Sequence, residues 1–144
     1  WSARRAPLPE WFVERFPSRL STHALFTREV EETGMQAPPG LPEGLRVSNR
    51  ERALLEVLRD VESWAQIDEA REVLELSVGI RIEELGRLMS GCRSVRTVRL
   101  MLMLLESTNV LDAQALRRDF TLPVGSPSRW VGELADGSRL VLQP

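Results

Sequence analysis

The sequence predicts an α+β fold: a small N-terminal antiparallel sheet, a central bundle of about four to five helices, and a C-terminal β-hairpin. Three observations lead there. Between Ser48 and Asp119 apolar residues recur at helical spacing, in segments separated by residues that cap helices. From Phe120 the apolar period falls to two, and Asp136-Gly137 separates the strand-like runs Arg129–Leu134 and Arg139–Leu142, a strong hairpin signal. Before Ser48 the chain is dense in Pro and Gly, which leaves room only for short strands.

Residues 1–10 read as an arm, because Pro7 and Pro9 disfavour helix around them. Residues 11–144 then form a single domain. Trp11–Phe16 makes one helical turn anchored by Trp11, Phe12 and Phe16, and Pro17 ends it. Leu20, Thr22, Ala24 and Phe26 share one face of a strand, residues 27–44 are loop, and Leu45-Arg46-Val47 is a second short strand. The chain opens at Trp1 with no charged-then-apolar leader, and the expectation is a fragment whose N-terminal part is missing.

The first core helix has the most specific start. Ser48 and Glu51 stand in the S-x-x-E arrangement of a capping box, in which each side chain satisfies a backbone N–H of the other's end. Leu54, Val57, Leu58 and Val61 follow as its apolar face. Arg52 and Glu56, four residues apart, are placed to form a structural clamp. Trp64 falls in the next connection. A second helix opens at Ile67, capped by Asp68 or Ser63, with Ile67, Ala70, Val73 and Leu74 inward and Gly79 as its stop. Ile82, Leu85, Leu88, Met89 and Cys92 define a third. Ser94 starts a fourth, which is apolar all round over residues 100–105 and therefore central, and Asn109 ends it. Asp112 caps a short fifth.

Composition excludes more than it assigns. The chain has 144 residues, 42% of them hydrophobic, enough for a real core. A formal net charge of −2 gives no bulk attraction to nucleic acid or to an anionic membrane, and no apolar run is long enough to span one. All nineteen basic residues are arginine. That removes a P-loop lysine, a Schiff-base lysine and the lysine of common nuclease cores. His23 is the one histidine and Cys92 the one cysteine. They offer too few ligands for zinc, leave no internal disulfide and fit a reducing cytoplasm. His23 reads as structural, Cys92 as a small buried apolar residue. No catalytic, cofactor or metal residues are assigned.

One surface candidate remains. Arg93, Arg96 and Arg99 recur every three residues at the start of the fourth helix, followed by Arg117 and Arg118. Guanidinium groups pair bidentately with carboxylates and other anions, so the row is a candidate partner-binding or anion-binding face. The competing reading is a solvated face paired with Glu83, Glu84 or Glu106.

The ordered set of motifs resembles a known family. Ser48-Asn49-Arg50-Glu51-Arg52-Ala53-Leu54-Leu55-Glu56-Val57-Leu58 is similar to the S-x-E-R-A-L/I-L-E-L segment of AbiEi-type antitoxins of type IV toxin–antitoxin systems, with one extra residue between serine and glutamate. Leu88–Leu100 resembles that family's L-L-x-x-C-R/K-S-V-K/R-x-K/R-R-L block, with Thr97 and Val98 where a basic residue is usual. Leu8-Pro9-Glu10-Trp11 and Leu25-Phe26 match its early L-P-x-W and L-F pairs, and the closing hairpin is similar in placement. The resemblance marks Ser48, Glu51, Arg52 and Glu56 as structural signature residues. It implies a domain without enzymatic activity that counteracts a nucleotidyltransferase toxin in an abortive phage infection system, without a stable complex, and supports autoregulation of its operon. Operator DNA is then bound by an N-terminal winged helix-turn-helix that this sequence lacks. Two other readings stand beside it: a metal-dependent nuclease or transferase of phage defence, and an oligomerisation or interaction domain of a transcriptional regulator. A homo-oligomer is left open.

Overall fold

The computed structural model describes residues 10–15, 24–37, 40 and 46–144, without the side chains of Phe12 and Val13. It shows the expected α+β order. Among the described residues α1 (Glu10–Arg15) comes first, then a 3-10 turn at Arg28–Val30 and the strands β1 (Met35–Gln36) and β2 (Val47–Ser48). The bundle follows as α2 (Arg50–Arg59), α3 (Trp64–Leu76), α4 (Ile82–Ser90), α5 (Val95–Thr108) and α6 (Ala113–Asp119). The strands β3 (Trp130–Glu133) and β4 (Arg139–Leu142) close the chain.

The core is built on α5, which packs against α2, α3, α6 and β4. Leu100, Met101, Leu102, Leu104 and Leu105 are all buried, as an all-round apolar run requires. Its ends are the expected ones. The Ser94 hydroxyl accepts from the Thr97 N–H, and Asn109 closes the helix in the left-handed region at φ 54°. Asparagine is, with glycine, the residue that tolerates this conformation. Ser63 caps α3 and Asp112 caps α6, each by accepting from backbone N–H groups of the first turn. Phe120 lies flat over Gly86 of α4, so close that a Cβ at Gly86 would stand 2.4 Å from its ring.

Both sheets are two-stranded and antiparallel. In the hairpin Val131 pairs with Val141 and Gly132 with Leu140; Leu140 and Leu142 turn into the core. Asp136 accepts from the Ser138 N–H, and Gly137 turns the chain at φ 81°, which is why Asp-Gly serves here.

Several local expectations are corrected. The partner of β2 is Met35–Gln36, inside the segment read as loop; a two-residue strand is too short to show a period. Of the strand expected over residues 20–26, residues 20–23 lie outside the described residues, His23 among them, and Phe26 makes a single antiparallel bridge with Cys92. Cys92 is buried as expected, but in the turn after α4. α3 starts at Trp64, which is therefore helical and 42% exposed. Val57 and Val73, read as inward, are half exposed, whereas Leu55 is fully buried in place of Val57. The rest of both stripes is as expected: Leu54 and Leu58 of α2 and Ile67, Ala70 and Leu74 of α3 are buried, and only the valine in each falls at the edge of the buried face. Thr121–Val124 is irregular rather than strand. Of the expected α1 anchors, Trp11 is exposed; the side chain of Phe12 and the whole of Phe16 lie outside the description.

Candidate functional site

The family signature residues converge at the N-terminus of α2, but not as a capping box. The N-cap is Asn49, whose side chain accepts from the Arg52 N–H at 3.0 Å. This shifts the cap one residue from Ser48 and releases Ser48 and Glu51 for other work. The extra residue between serine and glutamate leaves Asn49, itself a strong cap former, at the right distance. The Asn49 amide N–H₂ also donates to Glu84 of α4. Gly34 lies against it at φ 74°; a Cβ there would meet Asn49 Oδ1 at 2.7 Å.

Arg52 is the centre of the site. It is 1% exposed. Its Nε donates to Glu56 Oε1 at 2.9 Å, and one terminal nitrogen donates to the carbonyls of Glu31 and Thr33 at 2.5 and 3.0 Å. The guanidinium lies over the Phe26 ring, 4.6 Å from its centroid. Ser48 Oγ donates to the other Glu56 oxygen at 2.7 Å. The Arg52–Glu56 clamp expected from the i, i+4 spacing is therefore present, and Ser48 completes it from β2. One helical turn thus fastens the 24–36 segment to the bundle. The segment is also attached by backbone bonds to the α4–α5 turn, from the Thr27 N–H to the Gly91 carbonyl and from the Arg93 N–H to the Leu25 carbonyl, by the Asn49 N–H bond to the Gly34 carbonyl, and by the pairing of β1 with β2.

Glu51 points the other way, toward the start of α4. It is 2% exposed and accepts from the Arg81 backbone N–H at 2.9 Å and from Arg81 Nε at 3.2 Å. Burial alone raises its pKa, but the hydrogen bonds from the Arg81 side chain and backbone outweigh it, and the carboxyl ends below the ordinary 4.5. A depressed folded-state value stabilises the fold above the unfolded pKa and is lost as pH falls through the folded one. The stability gap between wild type and Glu51→Gln should therefore be full at neutral pH and narrow as pH drops below about 4.5. Urea melts at a series of pH values measure it; a constant gap contradicts the assignment.

The arginine row does not form one surface. Arg93 is exposed. Arg96 is half-buried, donates to the Val61 carbonyl and faces the Trp130 ring at 5.9 Å. Arg99 is 2% exposed and wholly internal: its guanidinium donates to the carbonyls of Val124, Ser126, Ser128 and Leu142. Arg93 precedes the N-cap Ser94 and lies outside α5. Within the helix the step of three from Arg96 to Arg99 turns about 60° short of a full revolution, enough to carry Arg99 onto the buried side. Of the pairings expected with Glu83, Glu84 or Glu106, the one from Arg117 to Glu106 is formed, whereas Glu84 is held by Arg81 and not by the row. The internal role of Arg99 was missed. The signal was available: Arg99 adjoins the run of residues 100–105 that leaves no solvent side.

Burial pushes the Cys92 thiol above its ordinary value, which makes it a packing residue and not a ready nucleophile. Among the described residues no group of three or more His, Cys, Asp and Glu side chains is placed to hold a metal ion. Among the same residues no helix is long and apolar enough to cross a membrane.

The fold and site define a small α+β domain whose signature residues are structural fasteners. The chain belongs to the AbiEi antitoxin family: the family model described as transcriptional regulator, AbiEi antitoxin, type IV TA system matches residues 1–142. It is thus a member of a family of antitoxins and transcriptional regulators whose members generally lack catalysis, and for which a toxin and DNA are the expected partners. Comparison with curated proteins and with solved structures returns no match.

Proposed function

We propose that this chain is the non-catalytic antitoxin domain of a type IV system. It counteracts a nucleotidyltransferase toxin in the cytoplasm and supports autoregulation of its operon. The family match across residues 1–142 carries this reading. The state of the carboxylates supports it: Glu51 is held by Arg81, and Glu56 by Arg52 and Ser48, so neither is a free general base or metal ligand. Residues 11–144 act as one unit. Operator DNA is contacted through a winged helix that precedes this sequence, in keeping with a net charge of −2 here. The toxin is opposed without a stable complex. Arg93, the outward member of the arginine row, is the residue to test for antitoxicity.

Co-expression of this chain with a nucleotidyltransferase toxin encoded beside it tests the reading. Restored growth is expected, together with a weaker rescue by Arg93→Glu at unchanged melting temperature. Failure of the folded, expressed wild-type chain to restore growth overturns it.

A further inference from the structure

Two outward faces of the domain complement each other, and among the described residues no ion pair engages the charges of either. The first is on α3. Glu69, Glu72, Val73 and Leu76 stand at i, i+3, i+4 and i+7 and form one exposed stripe. Leu76 is 80% exposed, and Val78, just beyond the helix, 79%. Among the described residues no ion pair engages Glu69 or Glu72, since the pair on this helix joins Arg71 to Asp68. The second face is the outer side of the hairpin. Val131 and Val141 are paired across β3 and β4 and both are exposed. With Ser128, Arg129 and Arg139 they line a shallow groove. Arg129 and Arg139 have no carboxylate partner among the described residues. Glu133 stands opposite Arg139 in register on the same face, at the turn end beside Gly137, and makes no ion pair with it; Arg129 lies at the other end of the valine pair.

We propose that these faces meet between two copies of the chain, the α3 stripe of one seated in the hairpin groove of the other. The acidic residues of the stripe then lie against Arg129 and Arg139, and Val73 and Leu76 cover Val131 and Val141. Charge complementarity selects the occupant: the groove needs an amphipathic segment with carboxylates beside aliphatic side chains, and α3 presents one at the concentration of the protein itself. Two valines and two arginines make a small patch, so the association is weak and concentration-dependent. Part of it is ionic and is screened by salt.

Analytical ultracentrifugation of the whole chain tests this. Wild type should show a weight-average mass that rises with concentration and falls as salt is added. Arg129→Glu/Arg139→Glu and Glu69→Arg/Glu72→Arg should each weaken association by about tenfold or more, because like charges then face each other. Mixing the two variants restores complementary pairs, and the mass should return toward that of wild type. Leu76→Ala, a truncation at a solvent-exposed site, should weaken association without touching charge or folding. Three results overturn the proposal: a wild-type mass that stays monomeric at all concentrations, variants that associate as wild type does, or a mixture that stays as weak as its components. Growth rescue does not enter this test, so its outcome and that of the antitoxin reading are independent.

Discussion

Arg99→Ala is expected to lower the melting temperature by on the order of 10 °C, among the largest effects of any single substitution in this chain. The guanidinium satisfies four carbonyls, those of Val124, Ser126, Ser128 and Leu142, from a position 2% exposed on the central helix. Hydrogen bonds from a charged donor contribute about 1.5–3 kcal/mol each, and a buried carbonyl left without a donor costs about 1–3 kcal/mol. Relaxation of the 124–128 loop toward water recovers part of this, which leaves a net loss of at least about 3 kcal/mol. The loss is directional. Amides of the 124–128 loop and of the hairpin should exchange faster, while those of α2 keep their protection. Arg99→Lys should recover little, because a single ammonium cannot reach carbonyls arranged around a planar fork. A lysine variant as stable as wild type contradicts this account.

The second large effect is at Arg52. Arg52→Ala removes the ion pair to Glu56, the bonds to the Glu31 and Thr33 carbonyls and the contact with Phe26 in one step. Breaking a buried pair from one side costs about 3–5 kcal/mol, since the partner groups keep their desolvation and lose their compensation. Here the 24–36 segment should loosen first, because the Arg52 head group is its side-chain tie to α2, beside the backbone bond from Asn49 to Gly34. Glu56→Ala should destabilise less than Arg52→Ala, as Glu56 is a quarter exposed, yet clearly more than Glu83→Ala, which should stay within about 0.5 kcal/mol. Glu83 is the suitable control; Glu84 bonds Asn49 and Arg81 and belongs to the same network. Chemical denaturation of the three variants measures the order, and equal stabilities of Glu56→Ala and Glu83→Ala would sink the clamp.

What the sequence showed and what it hid follow from the range of the interactions. Caps at Ser94, Asn109 and Asp112 are local, formed within a few residues, and were legible, while Ser63 was one of two candidates with Asp68. So were the all-apolar turn of α5, the Asp136-Gly137 hairpin and the i, i+4 pair of Arg52 and Glu56. The competition between Ser48 and Asn49 for the N-cap was not, because both are good caps. What decided it was Ser48 pairing in β2 and donating to Glu56. The partner of Glu51 is thirty residues away at Arg81, and those of Arg99 are backbone carbonyls up to Leu142. No side-chain pattern marks a carbonyl as an acceptor, so an arginine serving four of them looks in sequence like a surface charge. The resemblance marked Arg52 as structural and the three-residue spacing marked the row as a contact candidate; Arg52 and Arg99 hold segments in place, and of the row Arg93 is the exposed member.

That division is tested most directly by hydrogen exchange at the arginine side chains of the wild-type chain, read by nuclear magnetic resonance on the Nε–H groups. The account predicts slow exchange at Arg52 and Arg99, whose Nε–H groups are bonded to Glu56 and to the Val124 carbonyl, and solvent-like exchange at Arg93. Exchange at Arg99 as fast as at Arg93 would mean that the arginine row is a solvated face after all, and equally fast exchange at Arg52 would mean that the internal fasteners do not exist in solution.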